Sequence, residues 1–240
     1  MLAPALATVA ALALGAGSPG EDLPPRPAAR PLPPGLVEQR IVRRDPRIRA
    51  RVDVAYPALA PGAPGAAAFD AWFAGSAERR AGDALAAAER AASPGPESTL
   101  TQTFEVPLRT ARLVTVVRRG SSYTGGAHGM PFQESVTFDL ERGRPLGLED
   151  VFAKGPGVAD LLLPSAMVKL GATAHRWKGA REGALGALAR ASSWTFLADG
   201  AVVTFPPYSV GPYSDGQPEV HFTWQELAPH LRAGSPLPPR

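Results

Sequence analysis

The sequence predicts an α+β fold, with twisted antiparallel or mixed sheets packed by helices. Three features carry that expectation. Val136, Phe138 and Leu140 alternate with Ser135, Thr137 and Asp139, the period of a half-buried strand with one apolar face. Residues 66–92 instead place Phe69, Phe73, Ala77, Ala81, Leu85 and Ala88 at helical spacing, with Trp72 widening the apolar stripe. Finally, Ala198-Asp199-Gly200 stands between two apolar runs, 194–197 and 201–205. An Asp-Gly pair in that setting predicts a tight hairpin whose glycine takes a positive φ.

Composition bounds the function. With 240 residues, 45% hydrophobic and 20% charged, the chain has enough apolar material for one large domain or two small ones. The formal net charge of +3 is mildly basic and favours anionic polymers. No aromatic-rich RNA signature or recognition-helix pattern accompanies it, so nucleic acid is not an expected partner. Residues 2–16 form an uncharged Ala/Leu-rich run followed by Gly17, Ser18 and Pro19. That run is short for a bilayer span and matches the apolar core of an export signal, although no Lys or Arg precedes it. The expectation is a signal peptide over 1–18 and a periplasmic or secreted mature protein. Cysteine is absent, which excludes a disulfide framework and a lipoprotein anchor. No later stretch reads as a membrane span.

Along the chain, residues 19–40 are proline-rich without an apolar period and read as a linker. An N-terminal α+β part is expected over 41–120. From Pro46, the apolar positions Ile48, Ala50, Val52, Val54 and Tyr56 alternate with Arg47, Arg49, Arg51 and Asp53. This reads as a strand ended by Tyr56-Pro57, with a row of guanidiniums on its solvent face. Such a row either discourages edge-to-edge pairing or binds phosphates and carboxylates of a polymer. The helix over 66–92 stops at Ser93-Pro94-Gly95-Pro96. In 99–108, Phe104, Val106 and Leu108 are expected on one face. Residues 111–119 are apolar on both faces and read as a central strand. Tyr123-Thr124-Gly125-Gly126-Ala127-His128 forms a loop, Arg142-Gly143-Arg144 a turn, and 148–152 a short helical segment. Residues 157–170 and 181–191 read as helices weakened by Pro164 and glycines. A long loop over 206–216 carries Tyr208 and Tyr213, 220–222 is a short strand, and Thr223 caps a last helix ending near Leu231. A flexible proline-rich tail is expected over 233–240.

The sequence offers no convincing catalytic constellation. The four histidines, His128, His175, His221 and His230, form no metal-binding spacing, and there are no thiols, so neither metal nor other cofactor is expected. His128, near Ser121 and Ser122, is the one candidate general base, but G-x-S-x-G does not occur there. Asp139 and Glu141 lie too close to a turn for a glycosidase pair. The stronger reading is recognition. Tyr123 and His128 sit on one glycine-rich loop, Tyr208 and Tyr213 on another rich in proline and glycine. Tyrosine joins apolar area to a hydroxyl at small entropic cost, which suits binding. The loops emerge at one end if residues 113–117 and 202–205 share a sheet and a direction. Arg47, Arg49 and Arg51 are the secondary, basic candidate.

Several fragments in order resemble a known family: YPAL (56–59), an amphipathic helix, YTGGAH (123–128), FDLERGRPLGLEDVF (138–152), WTFLADGAVVTF (194–205), PYSVGPYSDG (207–216) and a closing helix from Trp224. Together they resemble the RsiV-like extracytoplasmic domain of the lysozyme-sensing anti-sigma factor RsiV and of the peptidoglycan deacetylase PdaC. The resemblance covers roughly residues 41–231. It implies an α+β fold with a smaller N-terminal part and a larger RsiV-like C-terminal part over 121–232. The chain shows no sigma-binding segment and no deacetylase domain, so those activities are not implied. What it implies is a non-catalytic binding module of the bacterial cell envelope. Its ligand is then a wall polymer or an extracellular protein such as a lysozyme-type muramidase. A basic lysozyme gains no steering toward a basic receptor, so the anionic polymer fits the charge better. The alternative is a hydrolase of wall glycan or peptide that uses His128.

Overall fold

The computed structural model describes residues 31–91 and 95–237. The signal peptide expected over 1–18, and the linker up to residue 30, lie outside the described residues. Among the described residues no helix is long and apolar enough to cross a membrane.

The first unit is a six-stranded sheet in the sequential order β1 (Leu36–Asp45), β2 (Ala50–Leu59), β3 (Ser98–Arg109), β4 (Leu113–Tyr123), β5 (Met130–Asp139) and β6 (Arg144–Pro145). All neighbours are antiparallel except β2 and β3, which run parallel because helix α1 (Ala66–Arg90) makes the crossover between them. The α+β class with mixed sheets is therefore as expected. Helix α1 lays its apolar stripe on one face of the sheet. Phe69 and Phe73 are buried against Val114, Val116, Val136 and Phe138, with the Phe69 and Phe138 rings edge-on at 5.3 Å. One turn further on, Ala77 and Ala81 meet Ile41, Val52, Val54 and Leu100. The small residues let helix and sheet approach closely. Removing a buried ring such as Phe69 would cost about 3–5 kcal/mol, transfer and cavity terms together.

The second unit contains α2 (Leu148–Val151), α3 (Val158–Arg176), α4 (Ala180–Leu188), a three-stranded sheet of β7 (Trp194–Phe196), β8 (Gly200–Thr204) and β9 (Glu219–Thr223), and α5 (Trp224–Leu227). Gly171 breaks α3 with φ 76 and ψ −162. Trp194, Phe152, Phe205 and Phe222 centre its core, and the Trp194 indole donates to the Leu188 carbonyl at 2.9 Å. Leu108 and Leu113 reach into this core from the first sheet. Strand β4 thus has α1 on one face and the second unit on the other, the central position that its two apolar faces predicted.

Several expectations need correction. Residues 36–40 belong to β1, not to a linker, because Leu36 pairs with Leu59 and is buried under α1. Arg47 and Arg49 are not on a strand: residues 46–49 form the turn between β1 and β2, and only Arg51 lies in β2. Pro57 does not end β2. Its missing N–H is tolerated because β3 pairs with β2 only up to Val54, so beyond that point β2 has a partner on one side alone. Phe104 and Val106 do not share a face with Leu108, since one extra residue between Glu105 and Leu108 bulges β3. Phe104 and Val106 pack on the α1 side and Leu108 on the other.

Over residues 135–139 strand β5 is buried on both faces, not on one. Ser135, Thr137 and Asp139 are at most 4% exposed because the second unit covers them. Their polar groups are met there: Thr115 and Thr137 share a hydrogen bond of 2.9 Å, and Ser135 pairs with Thr195 of β7. The expected division at residues 120/121 cuts through β4, which pairs with β5 over ten positions. The larger sheet closes at β6, so the first unit is the longer one. Gly200 has no positive φ; it is the first residue of β8, and an added Cβ would stand 2.1 Å from the Phe222 carbonyl on β9. Close approach of strands, not a left-handed turn, requires glycine there. The tail is not free over its described part, since Leu237 is 2% exposed and packs into the second core.

Candidate ligand-binding surface

The two tyrosine-bearing loops do not follow strands of one sheet, as their convergence was expected to require: β4 belongs to the six-stranded sheet and β8 to the three-stranded one. They meet nonetheless, because the second unit docks on the face of β5. Gln133 on β5 donates to Thr204 and to Glu219 at 2.7 Å each, drawing the end of β8 and the start of β9 onto the first sheet. The loop that leaves β8 is thereby set beside the loop that enters β5.

Their contact is specific. The Tyr213 hydroxyl donates to the Gly129 carbonyl at 3.0 Å, and His128 Nδ1 donates to the same oxygen at 3.0 Å. The His128 and Tyr213 rings lie 4.2 Å apart, and Tyr208 follows at 5.7 Å from Tyr213. Three of the four expected residues therefore form one cluster. His128 is exposed, Tyr213 half-buried and Tyr208 49% exposed. Tyr123 is not in that stack; its hydroxyl closes its own loop by donating to the Gly126 carbonyl at 3.0 Å. It remains a neighbour, since a Cβ on Gly129 would lie 3.9 Å from the Tyr123 Cβ.

The 206–216 loop is held rigidly from behind. Val210 is buried in the second core. Ser209 hydrogen-bonds the Pro206 carbonyl through hydroxyl and backbone, at 2.6 and 3.1 Å. Helix α4 presses so close that a Cβ on Gly183 would stand 2.0 Å from the Ser209 carbonyl. The Trp177 indole, just past α3, donates to the Tyr208 carbonyl at 3.1 Å. These clamps hold Tyr208 at φ 65, a left-handed conformation that costs a bulky residue energy. Trp177 and Gly183 were not singled out from the sequence. A long loop rich in proline and tyrosine gives no sign of which helix supports it.

The described polar contacts of Tyr123, His128 and Tyr213 are hydrogen bonds to backbone carbonyls. With Nδ1 bonded to a carbonyl, neutral His128 keeps its lone pair on Nε2. No described hydroxyl is hydrogen-bonded to it, and Ser121 is paired with Thr101 at 3.2 Å. Among the described residues no group of His, Cys, Asp or Glu could hold a metal ion. Two buried carboxylates of the FDLERGRPLGLED stretch, Asp139 and Asp150, are held in ion pairs. Asp150 accepts from Arg142 and Arg144 and from the Gly147 N–H, at 2.7 to 2.9 Å, and the Arg144 guanidinium foremost pulls its pKa down to about 2. Burial pushes Asp139 up, but bonds from Arg112 and from the Arg142 and Glu141 amides outweigh it and leave the carboxyl below its ordinary value.

Residues 170–225 match the family model described as a protein of unknown function, DUF3298. The matched stretch holds Trp177, Gly183, Tyr208 and Tyr213, the supported half of the cluster. A search of curated proteins finds no match. Solved structures that share the fold include two DUF3298 proteins. One, a DUF3298 family member from Bacteroides fragilis, is 19% identical with a TM-score of 0.58, covering 84% of this chain and 94% of that one. The other, a DUF3298 family protein from Pseudomonas aeruginosa, is 20% identical with a TM-score of 0.53, covering 85% of this chain and 95% of that one. The architecture of sheet, helix and second small sheet is thus that of solved DUF3298 proteins.

Proposed function

We propose that this protein is an exported, non-catalytic recognition module of the bacterial cell envelope that binds wall glycan through the His128–Tyr213–Tyr208 cluster. The observation that carries the reading is the cluster itself. Rings from two loops of separate sheets are locked side by side by one carbonyl, and a strained, half-exposed Tyr208 is held outward by Trp177 and Gly183. A surface ordered before its ligand arrives loses little entropy on binding. Pyranose rings present C–H faces that pack on aromatic rings, and their hydroxyls match the outward polar edges of tyrosine and histidine. The apolar run at residues 2–16 supports export, and the ordered fragments that resemble the RsiV-like domain support an envelope role.

Titration calorimetry of the full chain with soluble peptidoglycan fragments tests this. Wild type should bind, and Tyr208→Ala should weaken binding by about 1–2 kcal/mol, the loss of an interface anchor. The resemblance to a lysozyme-sensing domain makes an animal lysozyme the natural second titrant. Heat with lysozyme and none with glycan would replace the polymer by a protein ligand. Turnover of the fragments abolished by His128→Gln would replace the module by the hydrolase reading.

A further inference from the structure

The second unit covers the face of the six-stranded sheet opposite α1 at Leu108, Leu113, Gln133 and Ser135. Among the described residues nothing covers the other end, where Arg44 and Arg51 are exposed. There the register aligns Arg44 of β1 with Arg51 of β2, Arg51 with Thr99 of β3, and Thr99 with Tyr123 of β4. Residues paired across a sheet point to the same side. That side is the one away from α1, because the adjacent row, Arg43, Val52 and Leu100, meets the helix: Arg43 pairs with Glu78, and Val52 and Leu100 pack on Ala77 and Ala81. With strands about 4.8 Å apart, the row spans about 14 Å from Arg44 to Tyr123. Tyr123 abuts Gly129, whose carbonyl holds His128 and Tyr213. The row therefore runs into the aromatic cluster.

Its charge is arranged at a cost. Arg44 and Arg51 stand directly opposite each other, and like charges in that position repel. The turn beside them adds Arg47 and Arg49, and Arg49 sits at φ 50 without being glycine. Arg44 has Glu97 at 3.3 Å. Arg47, Arg49 and Arg51 have no side-chain ion pair or hydrogen bond among the described residues; Asp45 accepts only from the Arg47 backbone N–H, at 2.9 Å. The nearby carboxylate on the same face, Asp53, is already engaged by Arg40 at 2.6 and 2.8 Å. Opposed guanidiniums of which only Arg44 has an anion beside it, next to a hydroxyl-bearing row, are groups that an external anion would satisfy.

We infer that the Arg44–Arg51–Thr99–Tyr123 row is a carboxylate-binding extension of the aromatic surface, so that the ligand is an acidic glycan rather than a neutral one. This rests on the recognition reading above and adds its ligand class. Sugar rings pack on Tyr208, Tyr213 and His128, while carboxylates borne by the same strand reach Arg51 and Arg44, with Arg49 at the margin. The expected Arg47–Arg49–Arg51 strand face is thereby replaced by a row across strands, of which only Arg51 is common to both.

The test compares two probes on the full chain at low salt: an oligomer of N-acetylglucosamine, neutral, and a glycan of equal length in which alternate sugars carry a lactyl carboxylate. The carboxylated glycan should bind about tenfold tighter, and raising the salt toward 1 M should erase most of that difference. Arg44→Gln with Arg51→Gln should remove the preference while leaving the neutral oligomer's affinity unchanged; Tyr213→Ala should weaken both probes. Equal affinity for the two probes, or a preference that survives the double arginine change, overturns the acidic-ligand inference and leaves the recognition reading standing. Binding of neither probe overturns the reading and the inference with it. A phosphodiester polymer or a single-stranded oligonucleotide bound as tightly as the carboxylated glycan also overturns the inference, since the row would then respond to negative charge alone.

Discussion

The Tyr213 hydroxyl donates to the carbonyl of Gly129, 84 residues earlier in the chain, at 3.0 Å. This single bond ties the loop that enters β5 to the loop that leaves β8, and so joins two separate sheets. Replacing Tyr213 by Phe keeps the ring and removes the tie. A lost hydrogen bond of this kind costs about 1 kcal/mol, and the Gly129 carbonyl retains His128 as a donor. The expected signature is local: amide exchange across residues 124–129 should quicken while the α1 core keeps its protection. Unchanged exchange in that loop would show that the tie does not order it.

Gly183 supplies a test with an unusual sign. Glycine to alanine inside a helix ordinarily stabilises by about 1 kcal/mol. Here the added Cβ would meet the Ser209 carbonyl at 2.0 Å. Gly183→Ala should therefore lower stability by about 1–3 kcal/mol, as overpacking does, and should displace the 206–216 loop. A raised denaturant midpoint would mean that α4 and the loop are not in contact.

Gly200 separates two explanations of one residue. If strand approach requires it, any side chain should destabilise, because Cβ would stand 2.1 Å from the Phe222 carbonyl. Gly200→Ala and Gly200→Asn should then be similarly costly, about 1–3 kcal/mol each. Asparagine tolerates left-handed backbone, so a clear advantage of Asn over Ala in thermal unfolding would restore the turn explanation.

Much of the fold was legible because its apolar periods are strong. The α1 stripe, the double-faced β4 and the hairpin of β7 and β8 all follow from spacing alone. The failures share a physical cause, which is that periodicity does not say what covers a face. Ser135, Thr137 and Asp139 read as solvent-facing because they are polar, yet the second unit buries them and supplies their partners. Leu108 changed face through one bulged residue, and Arg47 and Arg49 fell in a turn that alternation cannot distinguish from a strand. The site was half legible. Tyrosines on stiff loops pointed to His128, Tyr208 and Tyr213, but their meeting depends on Gln133, Thr204 and Glu219, whose side chains carry no pattern. The Arg44–Arg51–Thr99–Tyr123 row depends on register, which no single strand displays.

The Asp150 cluster predicts an acid response. Its folded pKa of about 2 lies below the ordinary value of 3.8, so the unfolded chain binds the proton more readily. The stabilisation is fully present above about pH 4 and is lost as pH falls toward 2. With its arginine partners partly in water, about 1 kcal/mol is at stake. Asp150→Asn should be less stable than wild type at pH 7 by that order, and the gap should narrow between pH 4 and pH 2. A gap that stays constant across that range would show that the carboxylate's charge is not the stabilising element.

The central claim is that ligand is bound where Tyr208, Tyr213 and His128 meet, and the Trp177 indole reports on that place directly through its bond to the Tyr208 carbonyl. The chain has four tryptophans, so its indole N–H signals can be assigned by single substitution and followed by NMR. During titration of the labelled full chain with soluble peptidoglycan fragments, the Trp177 signal should move in a saturable way. The signal of Trp194, buried in the second core and bonded to Leu188, should stay in place. A saturable titration in which Trp177 stays still, or no titration at all, would contradict the account.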